Sequence, residues 1–100
     1  MKILALEKEL PGTTAENFRP LLKGEARRVW ELQQSGTLRE IYFNADQHTA
    51  VLVLECSNVE EAHRLLATLP LVQTGLITFD LIPLIPYDGL ARLFDHSSDS

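Results

Sequence analysis

The chain has 100 residues, 45% of them hydrophobic and 23% charged, which suits one globular domain near the usual ~100–150 residues and excludes a disordered polymer. A net charge of −5 argues against a nucleic-acid partner, whose phosphates demand cations. The single cysteine, Cys56, allows no intrachain disulfide, and the run Ile3–Leu6 is far too short for a secretory core or a membrane span, so a cytoplasmic protein without a membrane partner is expected.

Lys2–Lys8 reads as a strand. Leu10-Pro11-Gly12-Thr13-Thr14 is a turn, with Thr13 or Thr14 as the cap of a following helix. Over Ala15–Ser35 the residues Phe18, Leu22, Val29 and Leu32 close one helical face, and Gly36 stands where a helix ends. Leu38–Asn44 alternates as a strand, Ala45–His48 is a hairpin loop, and Thr49–Cys56 is the next strand. Ser57 and Glu60 have capping-box spacing ahead of a helix over Asn58–Leu69, whose apolar stripe is Val59, Ala62, Leu66 and Leu69. Pro70 stops that helix, because proline lacks the N–H and disfavours helix at the residue before it. Leu76–Leu84 is a fourth strand, Pro86–Gly89 a turn and Leu90–Phe94 a short amphipathic piece. The expected division is a single domain over 1–94 and a disordered polar tail over 95–100.

The order βαββαβ predicts an α+β, ferredoxin-like fold: a four-stranded antiparallel sheet with two helices on one face. Period-two counting sorts the strands into two faces. One collects Leu4, Leu6, Ile41, Phe43, Leu52, Leu54, Cys56, Ile77, Phe79 and Leu81, and is expected under the helices. The other collects Ile3, Ala5, Glu7, Leu38, Glu40, Tyr42, Asn44, Val51, Val53, Glu55, Leu76, Thr78, Asp80 and Ile82. Apolar residues on this second face would be exposed in a monomer, which usually marks an interface. A second copy packed sheet against sheet, a homodimeric α+β barrel, covers them.

Few residues suggest chemistry. Glu25 falls on the apolar stripe of the first helix, where partial burial would raise its pKa towards that of a general base. Tyr42, mid-strand on the mixed face, could orient a substrate or serve as an interface tyrosine. Arg39 could grip a carboxylate or reach to solvent. His48 in its loop and His63 on the second helix are solvated by default. Trp30 suits packing, and Cys56 a buried small residue. No H-x-x-x-H, C-x-x-C or dense acidic loop suggests a metal, and the five glycines form no phosphate loop.

Two stretches carry a family resemblance. Glu31-Leu32-Gln33-Gln34-Ser35-Gly36 with Leu38-Arg39-Glu40-Ile41-Tyr42 resembles the E-L-Q-x-x-G-x-x-R of muconolactone isomerases. His63-Arg64-Leu65-Leu66-Ala67-Thr68-Leu69-Pro70-Leu71, with Phe79–Leu84 behind it, resembles that family's H-x-L-L-x-x-L-P-L and its last strand. The resemblance covers residues 1–84 and implies dimeric or larger α+β barrels that shift a double bond in a small lactone acid by proton transfer, without a cofactor. It also places Glu25 on a helix glutamate of the family. Two positions depart from the pattern: Gly24 replaces a basic residue, and Ile85-Pro86-Tyr87 replaces a histidine-containing ending. Lys23, Arg28 or Arg39 would then have to meet a substrate carboxylate.

The expected function is a cofactor-free isomerase-like enzyme acting on a small unsaturated metabolite, such as a lactone or an acid. Glu25, Tyr42 and Arg39 are the expected catalytic residues; His48, Arg28 and His63 would bind substrate, and no metal takes part. The alternatives are a non-catalytic dimeric module for small-ligand binding or assembly, and a cofactor-less oxygenase or cyclase on the same barrel.

Overall fold

The computed structural model describes residues 1–95. Strand β1 (Lys2–Glu9) is followed by α1 (Ala15–Phe18), a 3-10 turn (Arg19–Leu21), α2 (Leu22–Gln34), β2 (Leu38–Phe43), β3 (Ala50–Glu55), α3 (Val59–Leu66), α4 (Pro70–Gln73), β4 (Ile77–Leu84) and a second 3-10 turn (Gly89–Phe94). The strands pair antiparallel in the order β2-β3-β1-β4, which is the expected ferredoxin-like α+β arrangement. The polar tail falls, from residue 96 onward, outside the described residues. No helix among the described residues is long and apolar enough to cross a membrane.

The core lies between the helices and one face of the sheet. Ile3, Leu52, Leu54 and Leu69 are its largest fully buried side chains, packed with Leu32, Leu38, Ala62 and Leu66. Burying each such leucine or isoleucine is worth about 1.5–3 kcal/mol. Register fixes which residues share this face: Ile3 pairs with Leu54 and Pro83, and Ala5 with Leu52 and Leu81.

That register corrects the expected phase of β1. Ile3 and Ala5, completely buried, lie under the helices, whereas Leu4 and Leu6 pair with Val53 and Val51 on the open face. Alternation could not set the phase, because Ile3-Leu4-Ala5-Leu6 is apolar on both sides. Leu38 also changes face. A register shift between Leu38 and Glu40 lets both Leu38 and Ile41 point towards the helices. Leu76 lies just outside β4. The open face therefore carries Leu4, Leu6, Tyr42, Val51, Val53 and Ile82.

The helices are shorter than their apolar stripes suggested. Pro20 interrupts the first into α1, a 3-10 turn and α2, because it can donate no hydrogen bond. Thr14 caps α1, its N–H donated to Asn17 Oδ1 at 2.8 Å. The second cap sits one residue later than the Ser57–Glu60 spacing suggested. Asn58 Oδ1 accepts the Glu61 N–H at 2.8 Å, and the Glu61 carboxylate accepts the Ser57 N–H at 3.1 Å. Helix α3 ends at Leu66, and Pro70 opens α4 at its first position, where the missing N–H costs nothing.

Candidate active site

The C-terminal half of β1 lies beside the start of β3 and the start of β4, and the end of β2 flanks the start of β3 on its other side, since Leu6 pairs with Val51, Glu9 with Ile77 and Phe43 with Ala50. Over this end of the sheet α2 stands away, leaving a cavity of about 900 Å³. Its sheet wall is Ile41, Phe43, Ala50, Leu52, Ile77 and Phe79; its helix wall is Phe18, Leu22, Ala26, Val29 and Trp30; Leu69 and Leu71 close one side. Into this apolar, aromatic space project Glu7, Glu25 and His48, with Glu9 and Arg19 also on its lining. A concave apolar pocket with a few polar groups is the usual form of a small-molecule site.

Glu7 follows from the phase of β1. Residues 3, 5 and 7 share a face, so once Ile3 and Ala5 are buried Glu7 must face the cavity. Pairing between β1 and β3 ends at Leu6 and Val51, and the Glu7 carboxylate takes the next N–H, that of Ala50, at 2.7 Å. Burial pushes its pKa up; the Ala50 hydrogen bond and His48 oppose this, while the charge of Glu9 adds to it.

Glu25 enters from the first turn of α2. Its Oε1 accepts the Leu71 N–H at 2.9 Å, so it satisfies one of the free donors at the start of α4. Burial again raises the pKa, the Leu71 hydrogen bond lowers it, and the negative charge of Glu7 raises it further. Two half-buried carboxyls thus share one cavity, and the charge of Glu7 disfavours ionised Glu25. Burial that raises a carboxyl's pKa makes it better suited to take and return a proton than an exposed one.

His48 closes the β2–β3 hairpin with a left-handed backbone, φ 57°. Its N–H donates to the Asn44 carbonyl at 2.8 Å, and Asn44 Oδ1 accepts from Asp46 and Gln47. The imidazole stacks on Phe43 with ring centroids 4.1 Å apart. This fixes a polar ring, exposed on one side, at the cavity wall.

The other expected site residues lie elsewhere. Tyr42 is exposed on the open sheet face, its hydroxyl donated to Glu40 Oε1 at 2.6 Å, which raises its pKa. Arg39 Nε donates to the Gly36 carbonyl at 2.5 Å. Arg28 ties α2 to the turn between α3 and α4, Nε donating to Thr68 Oγ1 at 2.7 Å, while Nη1 donates to Glu31 of its own helix at 3.1 Å. His63 is exposed on α3, and Cys56 is buried with its thiol pKa pushed up, the opposite of an activated thiolate. Of the six expected residues the cavity gathers Glu25 and His48; Glu7 is the one the sequence reading left out. Among the described residues no group of three or more His, Cys, Asp or Glu is placed to hold a metal.

Comparison with solved structures gives the same architecture. The chain superposes on muconolactone isomerase with a TM-score of 0.72 at 22% identity, over 99% of this chain and 98% of that one. It also resembles 5-chloro-2-hydroxyhydroquinone dehydrochlorinase of Burkholderia phenoliruptrix AC1100, solved in complex with 2,5-dihydroxybenzoquinone, with a TM-score of 0.67 at 14% identity over 89% of this chain and 98% of that one. No curated protein matches by sequence. The family model for muconolactone delta-isomerase matches residues 5–88, a span that runs from the middle of β1 through β4 and takes in every residue lining the cavity. The chain belongs to the muconolactone delta-isomerase family.

Proposed function

We propose that the chain is an isomerase that shifts a double bond in a small unsaturated carbonyl compound held in the helix–sheet cavity. The observation that carries this reading is the pair Glu7 and Glu25, two carboxyls with raised pKa in one apolar cavity. Ionised Glu25 takes a proton from the carbon γ to the carbonyl of an α,β-unsaturated lactone. The electron pair moves into a dienolate, and protonated Glu7 donates a hydrogen bond to its oxygen. Glu25 then returns the proton at the α carbon, so the double bond moves to the β,γ position and the composition of the substrate is unchanged. General acid–base work of this kind is typically worth about 10²–10⁴ in rate. Phe18, Phe43 and Phe79 supply the flat apolar walls that exclude water from the dienolate, and the stacked His48 ring fixes one side of the ligand.

The relatives support the class of reaction: one isomerises a lactone, and another, by its name, removes chloride from a hydroxylated ring, a step that also needs proton movement. The open sheet face, with Leu4, Leu6, Val51 and Val53 partly bare, supports a homo-oligomer that pairs these faces. A second reading, a ligand-binding module without turnover, draws on the backbone hydrogen bonds of both carboxylates, since Ala50 and Leu71 give each a structural task.

Assaying the wild type and Glu25→Gln on a panel of unsaturated lactones tests the proposal. It expects turnover of at least one lactone and its loss in the variant. Lactones that bind, detected by quenching of Trp30 fluorescence, but are never turned over would favour the binding module.

A further inference from the structure

The charge around the cavity is lopsided. Glu7, Glu9 and Glu25 all line it, and Glu7 and Glu9 share one face of β1 because they stand two residues apart. Glu9 is the last residue of the strand and is exposed, so it stands where the cavity opens to water. The negative field reaches across the space, since the charge of Glu7 raises the pKa of Glu25.

The neighbouring cations are engaged elsewhere. Arg19 is on the lining, but its Nη1 holds Glu16 at 3.1 Å and its side chain is 70% exposed. Charge on His48 acts on Glu7, whose pKa it lowers, and the His48 ring lies on Phe43. Lys8, next to Glu9 in the chain, is turned to the open sheet face and holds Asp80 at 2.6 Å. Lys23, Arg28 and Arg39 are not on the lining; Arg28 bonds Thr68, and Arg39 the Gly36 carbonyl. A ligand carboxylate would therefore leave water for an apolar space and meet like charges there, with no cation free among the lining residues to offset its desolvation.

The walls favour a ring instead. Phe43 and Phe79 on the sheet side and Phe18 and Trp30 on the helix side present aromatic surfaces. At about 900 Å³ the cavity is at the large end of pockets that hold drug-sized molecules, about 300–1,000 Å³.

With the cavity as the substrate site, as proposed above, we infer that it takes an uncharged, flat, ring-bearing carbonyl compound and turns carboxylates away, Glu9 at the mouth setting that selection.

The methyl ester of coumarin carboxylic acid and the free carboxylate share one flat lactone scaffold and differ in charge. Titration calorimetry at pH 7 is expected to show the wild-type chain binding the ester about tenfold or more tightly than the carboxylate. Glu9→Lys is expected to raise the affinity for the carboxylate and so to narrow that ratio. Glu9 is exposed at a strand end, so the variant keeps the fold, which circular dichroism checks. A carboxylate bound as tightly as the ester, binding of neither probe, or an unchanged ratio in Glu9→Lys overturns the inference. These titrations read no turnover. Binding of the ester with no lactone turned over leaves the charge selection standing and removes the isomerase. Turnover of a carboxylate-bearing lactone in preference to its ester does the reverse.

Discussion

Glu7 and Glu25 reach one cavity from two different elements, a strand and a helix, and each is held by a single backbone N–H, that of Ala50 at 2.7 Å and that of Leu71 at 2.9 Å. The sheet and α4 thereby fix both carboxyl groups before any ligand arrives. Preorganisation of this kind is what proton transfer between two carbons requires, since the same group must serve both positions.

Glu7→Leu removes the hydrogen-bond donor that would stabilise the dienolate oxygen, and with it the acceptor of the Ala50 N–H. Its kcat on a turned-over lactone is expected to fall about 10–100-fold, with KM little changed. Steady-state kinetics check this. A raised KM at unchanged kcat would make Glu7 a binding group only.

Burial also ties these carboxyls to stability. Both have pKa values raised in the folded state, so their favourable contribution is fully present below the ordinary carboxylate range and is lost as pH rises through the folded pKa. Above its folded pKa the ionised Glu25 carboxylate is therefore a burden. Glu25→Gln is expected to raise Tm at pH 7, and the gain over wild type should shrink as pH falls into the carboxylate range. Thermal scans at several pH values check the sign.

Arg28 has a different task from Glu25, although the two lie within one turn of α2. Its guanidinium is spent on Thr68 and Glu31. Arg28→Ala is expected to cost about 1 kcal/mol of stability, measured by urea unfolding, and to leave KM unchanged.

The fold was legible wherever one face of an element was polar. Helix α3 shows this, since Ala62 and Leu66 stand out against Glu60, Glu61, His63 and Arg64. The phase of β1 was not legible, because its apolar residues occupy both faces and only pairing with Leu54 and Leu52 decides between them. That ambiguity hid Glu7. Glu25 was legible because a carboxylate on an apolar helical stripe is out of place. His48 was visible only as a loop histidine; its stacking on Phe43 depends on a left-handed backbone that spacing does not reveal. Tyr42, Arg39, Arg28 and His63 are suggested by residue type alone, and the structure spends the first three on hydrogen bonds within the scaffold.

The open sheet face makes a separate prediction. Leu4, Leu6, Val51 and Val53 form a partly exposed apolar patch on the two central strands. The chain is expected to be at least a dimer at micromolar concentration, and Val53→Lys should lower the mass measured by light scattering. A monomeric wild type would remove the reason for pairing these faces.

The central claim, that the helix–sheet cavity is the seat of proton transfer, is tested most directly by following one turned-over unsaturated lactone by proton NMR with three proteins side by side: wild type, Glu25→Gln and Tyr42→Phe. Tyr42 lies on the opposite face of the sheet, so its variant controls for general damage. The account predicts wild-type rates for Tyr42→Phe and a loss of about 10²-fold or more for Glu25→Gln. Wild-type turnover by Glu25→Gln, or its loss in Tyr42→Phe alone, would contradict it.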